Sequence, residues 1–196
     1  MKKLSIKKIT LLLAVNFFIC STTIAQTSYE SHSMDISLKG TSTLHDWEMK
    51  AATGTSEAEF TVGDDGNITS LSKLSFTLPA VNLKSGRTVM DKNTYKALKT
   101  RANPNISFVL TSATVTAEGN NNYLLNCNGR LTIAGSTKAT DLVATARYNP
   151  SDKSFTVTGV KKMKMTDYDV KPPTVMLGTI KTGNDISIAY NLKFTR

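Results

Sequence analysis

Histidine and cysteine are nearly absent: the 196-residue sequence holds two of each. So few ligating side chains argue against a zinc site of Cys and His, and two cysteines cannot staple a multi-disulfide scaffold. A composition of 40% apolar and 20% charged residues, with five prolines and eleven glycines, excludes disordered and collagen-like chains. No Gly-x-Ser-x-Gly elbow, phosphate loop or His-Glu-x-x-His pair occurs. The only long apolar run, Ile9 to Ile19, falls short of the about 20 residues that a membrane-spanning helix needs.

That run belongs to an N-terminal leader. Lys2, Lys3, Lys7 and Lys8 precede it, and Thr23-Ile24-Ala25 follows with small residues at the minus-three and minus-one positions. Basic, apolar and small-residue regions in this order read as a secretory signal peptide over residues 1–25, cleaved near Ala25. A lipoprotein anchored at Cys20 is the weaker alternative, because Ile19 stands where Gly, Ala or Ser is wanted. Four of the 24 basic residues and none of the 15 acidic ones leave with the leader, which takes the formal charge from +9 to +5. Cys127 is then alone and reads as a small buried hydrophobe. Export places the protein in the periplasm, with no stable membrane insertion after cleavage.

From residue 33 onward the dominant period is two. Met34, Ile36 and Leu38 alternate with polar residues, as do Trp47, Met49 and Ala51, and later Ile186, Ile188, Tyr190, Leu192 and Phe194. Such alternation marks strands with one dry and one wet face. Turns are expected at Gly54, Gly63-Asp64-Asp65-Gly66, Gly119-Asn120-Asn121-Asn122 and Asn149-Pro150-Ser151-Asp152. Thr88 to Arg101 loses that period and places Met90, Thr94, Ala97 and Leu98 on one helical face. The pattern predicts an all-β protein of eight or nine strands with one short helix. It leaves a sandwich and a closed barrel equally open.

Chemistry is sparse. His32 lies near the expected new N-terminus, where order is least expected. His45 and Asp46, read as strand neighbours, point to opposite faces and cannot act as a dyad. Cys127 has no base near it in sequence and is a poor nucleophile. No catalytic residue, metal or cofactor is expected. Lys161, Lys162 and Lys164 fit either a solvated strand edge or contact with anionic groups. A charge this modest, without interleaved aromatics, argues against nucleic acid.

More specific blocks occur in a fixed order. They are Gly40-Thr41-Ser42-Thr43-Leu44-His45-Asp46-Trp47, Ser85-Gly86-Arg87-Thr88-Val89-Met90-Asp91 and Asn103-Pro104-Asn105-Ile106-Ser107-Phe108. Gly129-Arg130-Leu131-Thr132-Ile133-Ala134-Gly135-Ser136-Thr137-Lys138 follows, then Met165-Thr166-Asp167-Tyr168 with Pro172-Pro173-Thr174 behind it. Together they resemble the YceI-like family of exported bacterial proteins, over roughly residues 33–196. The resemblance implies a lipocalin-like antiparallel β-barrel, filling residues 26–196, that binds a long isoprenoid lipid such as an isoprenoid quinone or a polyprenyl phosphate. The alternative is a structural or protein-interaction barrel with a filled core.

Shared strand parity predicts that Phe60, Phe76, Phe108, Leu131, Ile133, Phe155, Met163, Ile188 and Tyr190 point inward and line the lipid tunnel. Ile106, Phe108 and Leu110 have one parity and Val109, Ala113 and Val115 the other, so a bulge is expected in that strand. Thr166 to Asn184 lacks alternation and carries Pro172, Pro173, Gly178 and Gly183. It is expected to be a mobile lid, with Tyr168 and Met176 closing over the ligand.

Overall fold

The computed structural model describes residues 26–63 and 67–196. The signal-peptide reading of residues 1–25, and the Asp64-Asp65-Gly66 part of one expected turn, lie outside the described residues. Eight long strands form one antiparallel sheet: β1 (Gln26–Ser42), β2 (Trp47–Val62), β3 (Ile68–Pro79), β4 (Asn105–Gly119), β5 (Asn122–Ile133), β6 (Ser136–Asn149), β7 (Ser154–Lys164) and β9 (Ile180–Phe194), with a two-residue strand β8 (Thr174–Val175) added to β9. β1 pairs with β9 from Met34↔Leu192 to Ser42↔Thr182 and closes the barrel. This decides between sandwich and barrel, which periodicity left open. Strands of 11 to 17 residues span roughly 35–55 Å at about 3.3 Å per residue, so the barrel is long.

Hairpin turns join most neighbours. At β4–β5, Asn120 and Asn121 both adopt positive φ (51° and 60°), the twist that two-residue hairpins need. Gly54 is not a turn. It lies inside β2, where a side chain would strike the Thr77 carbonyl and Met34 Sδ. The expected bulge is present: the β4–β5 register slips between Leu110 and Ser112, and the inward row passes from Phe108 and Leu110 to Ala113 and Val115. β1 starts earlier than the alternation suggests and includes His32. Its first half buries Tyr29 and Ser31, and register shifts between Ser31 and Ile36 change the inward parity.

The helix α1 (Thr88–Ala97) stops short of the expected Arg101 because Lys99 takes φ 53°. Asp91 secures its start by accepting hydrogen bonds from the Ser85 N–H (2.8 Å) and Oγ (2.6 Å). The stretch expected to be irregular from 166 to 184 is so only up to Thr179. Met165–Tyr168 forms a 3₁₀ turn, and residues 180–184 already belong to β9.

One end of the barrel is packed solid. The Phe60 and Phe155 rings stack at 4.4 Å, Tyr29 meets Phe155 edge-on at 4.8 Å, and Phe194 meets Phe60 at 6.5 Å. All four side chains are fully buried. Burying rings of this size dominates core energetics, and edge-to-face contacts add to it.

Candidate functional site

Above the aromatic floor the barrel holds a cavity of about 590 Å³, inside the range usual for small-ligand sites. Its wall is overwhelmingly apolar because one parity of each strand faces it: Ile36 and Leu38 of β1, Phe76 of β3, Phe108 of β4, Leu131 of β5 and Ile188 of β9 are examples. The helix covers one side with Met90, Asn93, Thr94, Ala97 and Leu98, a face spaced by three and four residues. Thr94 Oγ1 lies 3.3 Å from Met49 Sδ and ties that face to β2.

Two glycines shape the wall. A Cβ on Gly129 would collide with the Phe108 ring, and one on Gly159 with the Tyr190 ring. The large side chains therefore lie against bare backbone. The β6–β7 ladder ends at Ala144↔Gly159. Beyond that pair, side chains bridge the seam. Tyr190 Oη donates to the Val143 carbonyl (3.2 Å) and Lys161 Nζ to the Asp141 carbonyl (2.8 Å), while the hydroxyls of Tyr168 and Thr140 are 2.7 Å apart.

At the end opposite the floor, Leu44, His45, Arg87, Val89, Lys161 and Met176 border the opening. His45 and Asp46 lie in the β1–β2 turn, not in a strand, so the opposite-face argument does not apply to them. His45 Nδ1 is 2.6 Å from the Asp46 main-chain carbonyl, not its carboxylate. That contact needs a proton on Nδ1 and leaves Nε2 to accept from Arg87 Nη1 at 3.3 Å. The imidazole thus anchors the turn to the start of α1.

Ten of the eleven residues expected in the lining border the cavity: Phe60, Phe76, Phe108, Leu131, Ile133, Met163, Tyr168, Met176, Ile188 and Tyr190. Phe155 does not; its strand parity is inward, but at its height the interior is aromatic floor. Tyr168 is buried and held by Thr140, whereas Met176 is largely exposed at the rim. Sequence reasoning missed the contributions of β6, such as Leu142 and Ala144. Their inward row includes Thr140 and two alanines, a weak apolar signal.

Cys127 also faces the cavity. Burial pushes its thiol up to about 11, which keeps it protonated and unreactive at neutral pH. Burial, and then the neighbouring Cys127, push the Tyr190 phenol up to about 12. Among the described residues no cluster of His, Cys, Asp and Glu could hold a metal. The arrangement offers shape and apolar contact, with few polar groups on its wall.

A model of the YceI-like domain matches residues 21–194. The chain belongs to the YceI-like family. The YceI-like barrel is similar to BcnA of Burkholderia cenocepacia, with TM-score 0.64 and 17% identity over 82% of this chain and 95% of that one. It is also similar to a polyisoprenoid binding domain from Saccharophagus degradans implicated in plant cell wall breakdown, with TM-score 0.63 and 9% identity over 87% and 99%. A Campylobacter jejuni YceI protein aligns at TM-score 0.52 and 16% identity over 70% and 79%. No curated protein matches the sequence. At these identities the structural neighbours establish the fold.

Proposed function

We propose that this YceI-like protein is an exported binding protein that sequesters or carries a long isoprenoid lipid, either an isoprenoid quinone or a polyprenyl phosphate, with its chain in the barrel cavity. The observation that carries this reading is the apolar cavity of about 590 Å³, walled by strands all round the barrel and bordered at its opening by both apolar and basic side chains. Moving a prenyl chain from water into such a space is favourable by about 0.8 kcal/mol per methylene-sized group. Affinity then needs few polar contacts. Family membership and the Saccharophagus degradans neighbour support a lipid-like ligand. A barrel filled by its own side chains is disfavoured by the same cavity. The protonated Cys127 and the structural role of His45 favour binding over catalysis.

Organic extraction of the purified protein followed by mass spectrometry tests the proposal. A stoichiometric prenyl lipid is expected. Its absence from protein purified from the native host would overturn the reading.

The compartment is part of the proposal. Cleavage near Ala25 and release into the periplasm follow from the leader's layout, and N-terminal sequencing of exported protein checks it. A lipid-modified Cys20 at the mature N-terminus would refute it. Among the described residues no helix is long and apolar enough to cross a membrane.

A further inference from the structure

The four most exposed large apolar side chains among the described residues gather at one end of the barrel. Leu44 is 66% exposed, Val89 72%, Met176 71% and Leu177 fully so. Leu44, Val89 and Met176 border the cavity mouth, and Leu177 is the next residue. The three segments that carry them are joined. Thr43 N donates to the Lys181 carbonyl at 3.0 Å, and Arg87 meets His45. Met176, Leu177 and Gly178 all take positive φ (51°, 55° and 90°). Two non-glycine residues in that region strain the backbone, a feature that concentrates at functional segments. Here it holds Leu177 away from the protein.

Two of the segments around the mouth are rich in cations, while Asp46 stands in the third, the β1–β2 turn. Residues 80–104 carry Lys84, Arg87, Lys92, Lys96, Lys99 and Arg101 against the single acid Asp91, which Ser85 already occupies. Residues 161–181 carry Lys161, Lys162, Lys164, Lys171 and Lys181 against Asp167 and Asp169. The ion pairs found among the described residues use other cations: Glu48, beside the β1–β2 turn, with Lys39 and Lys50, Lys73 with Glu57 and Glu59, and Lys193 with Asp152. Lys84 lies in the field of the Asp91 carboxylate, and the remaining cations of these two segments make no ion pair found among the described residues.

We propose that the mouth end docks on a lipid surface bearing anionic head groups, with Leu44, Val89, Met176 and Leu177 entering the head-group layer and the surrounding lysines and arginines facing the lipid charge. Exposed apolar groups within a basic field are what interfacial binding requires. A neutral apolar partner would leave the cations without counterparts, which selects the anionic surface. The inference goes beyond the occupant of the cavity, because an empty barrel presents the same rim.

The test is co-sedimentation of residues 26–196 with vesicles. This segment holds every strand found among the described residues and leaves the N-terminal apolar run out of the measurement. Vesicles of phosphatidylglycerol and phosphatidylethanolamine in equal parts are compared with phosphatidylcholine alone. Binding at least about tenfold stronger to the anionic vesicles, and weakened by salt, is expected. Val89→Asp with Leu177→Asp, and separately Arg87→Glu with Lys181→Glu, should each weaken it about tenfold. Val109→Asp with Val143→Asp, on the outer wall, should not. Circular dichroism confirms folding of each variant. Equal binding to both vesicle types, no vesicle binding, or equal losses from rim and wall variants would overturn the proposal, the second outcome pointing to a protein acceptor. Lipid content measured on the same preparations separates the two readings. Vesicle binding without extractable lipid keeps the docking surface and removes the isoprenoid cargo, and extractable lipid without vesicle binding does the reverse.

Discussion

The Tyr190 ring occupies the space that any side chain on Gly159 would fill, and its hydroxyl reaches past that glycine to the Val143 carbonyl at 3.2 Å. A methyl group on Gly159 would strike the phenol and also lie 2.8 Å from that carbonyl, which is backbone and cannot rotate away. Gly159→Ala should therefore destabilise the barrel by about 1–3 kcal/mol, the usual cost of overpacking. Urea unfolding measures it. Tyr190→Phe alone should cost about 1 kcal/mol for the lost hydrogen bond. Combined with Gly159→Ala it should cost less than the sum, since both changes act on one contact. Strict additivity would refute the coupling.

Alkaline titration should weaken the fold through Cys127 and Tyr190. Both folded values are raised, to about 11 and about 12, above the ordinary 9.0 and 10.0. In the unfolded chain these groups lose their protons first, so the unfolded state binds fewer protons and stability falls with rising pH. The contribution is complete below about pH 9 and is lost as pH climbs through 11 to 12. Thermal midpoints measured across that interval should drop, and the drop should shrink in Cys127→Ala and Tyr190→Phe. At pH 8 iodoacetamide should label native Cys127 on the order of a hundredfold more slowly than a free thiol, because so little is thiolate.

Floor and wall should respond differently. Phe155→Ala removes a ring from the packed end and should cost about 3–5 kcal/mol, while the folded fraction still yields lipid on extraction. Leu131→Trp intrudes on the cavity and should lower lipid recovery in folded protein. If the two variants affected stability and lipid recovery alike, floor and cavity would be one functional unit.

The segment after β7 has a fixed root and an exposed tip. Tyr168 and Val170 are buried, whereas Met176 and Leu177 stand in solvent. Hydrogen exchange with and without extracted lipid should leave residues 165–170 unchanged and raise protection at 176–179. Equal protection across the whole segment in both states would assign it a purely structural role.

Much of the architecture was legible because the buried residues are strong signals. Ile186, Ile188, Tyr190, Leu192 and Phe194 alternate without interruption, and all but Ala189 among the residues between them are polar. The β4 bulge could be anticipated because the apolar parity passes from Ile106, Phe108 and Leu110 to Ala113 and Val115. Strand β6 was hard to read because Ala144 and Ala146 are small, and outward Val143 competes with them in any alternation count. The early half of β1 was hidden by the parity change between Ser31 and Ile36. Parity alone places Phe60, Phe76, Phe108, Leu131, Ile133, Met163, Ile188 and Tyr190 beside the cavity. Parity carries no information about height along the barrel, so it groups Phe155 with the lining although that ring belongs to the floor.

The packed rings of Tyr29, Phe60, Phe155 and Phe194 give the barrel's axis a blind end. A cargo that enters tail-first along that axis leaves head-first by the same route. Loading and unloading are then one process run forwards and backwards, so the protein cannot impose a direction of travel by its own shape. Net movement would follow the difference in the cargo's chemical potential between the places the mouth visits, and the protein would speed equilibration without shifting it.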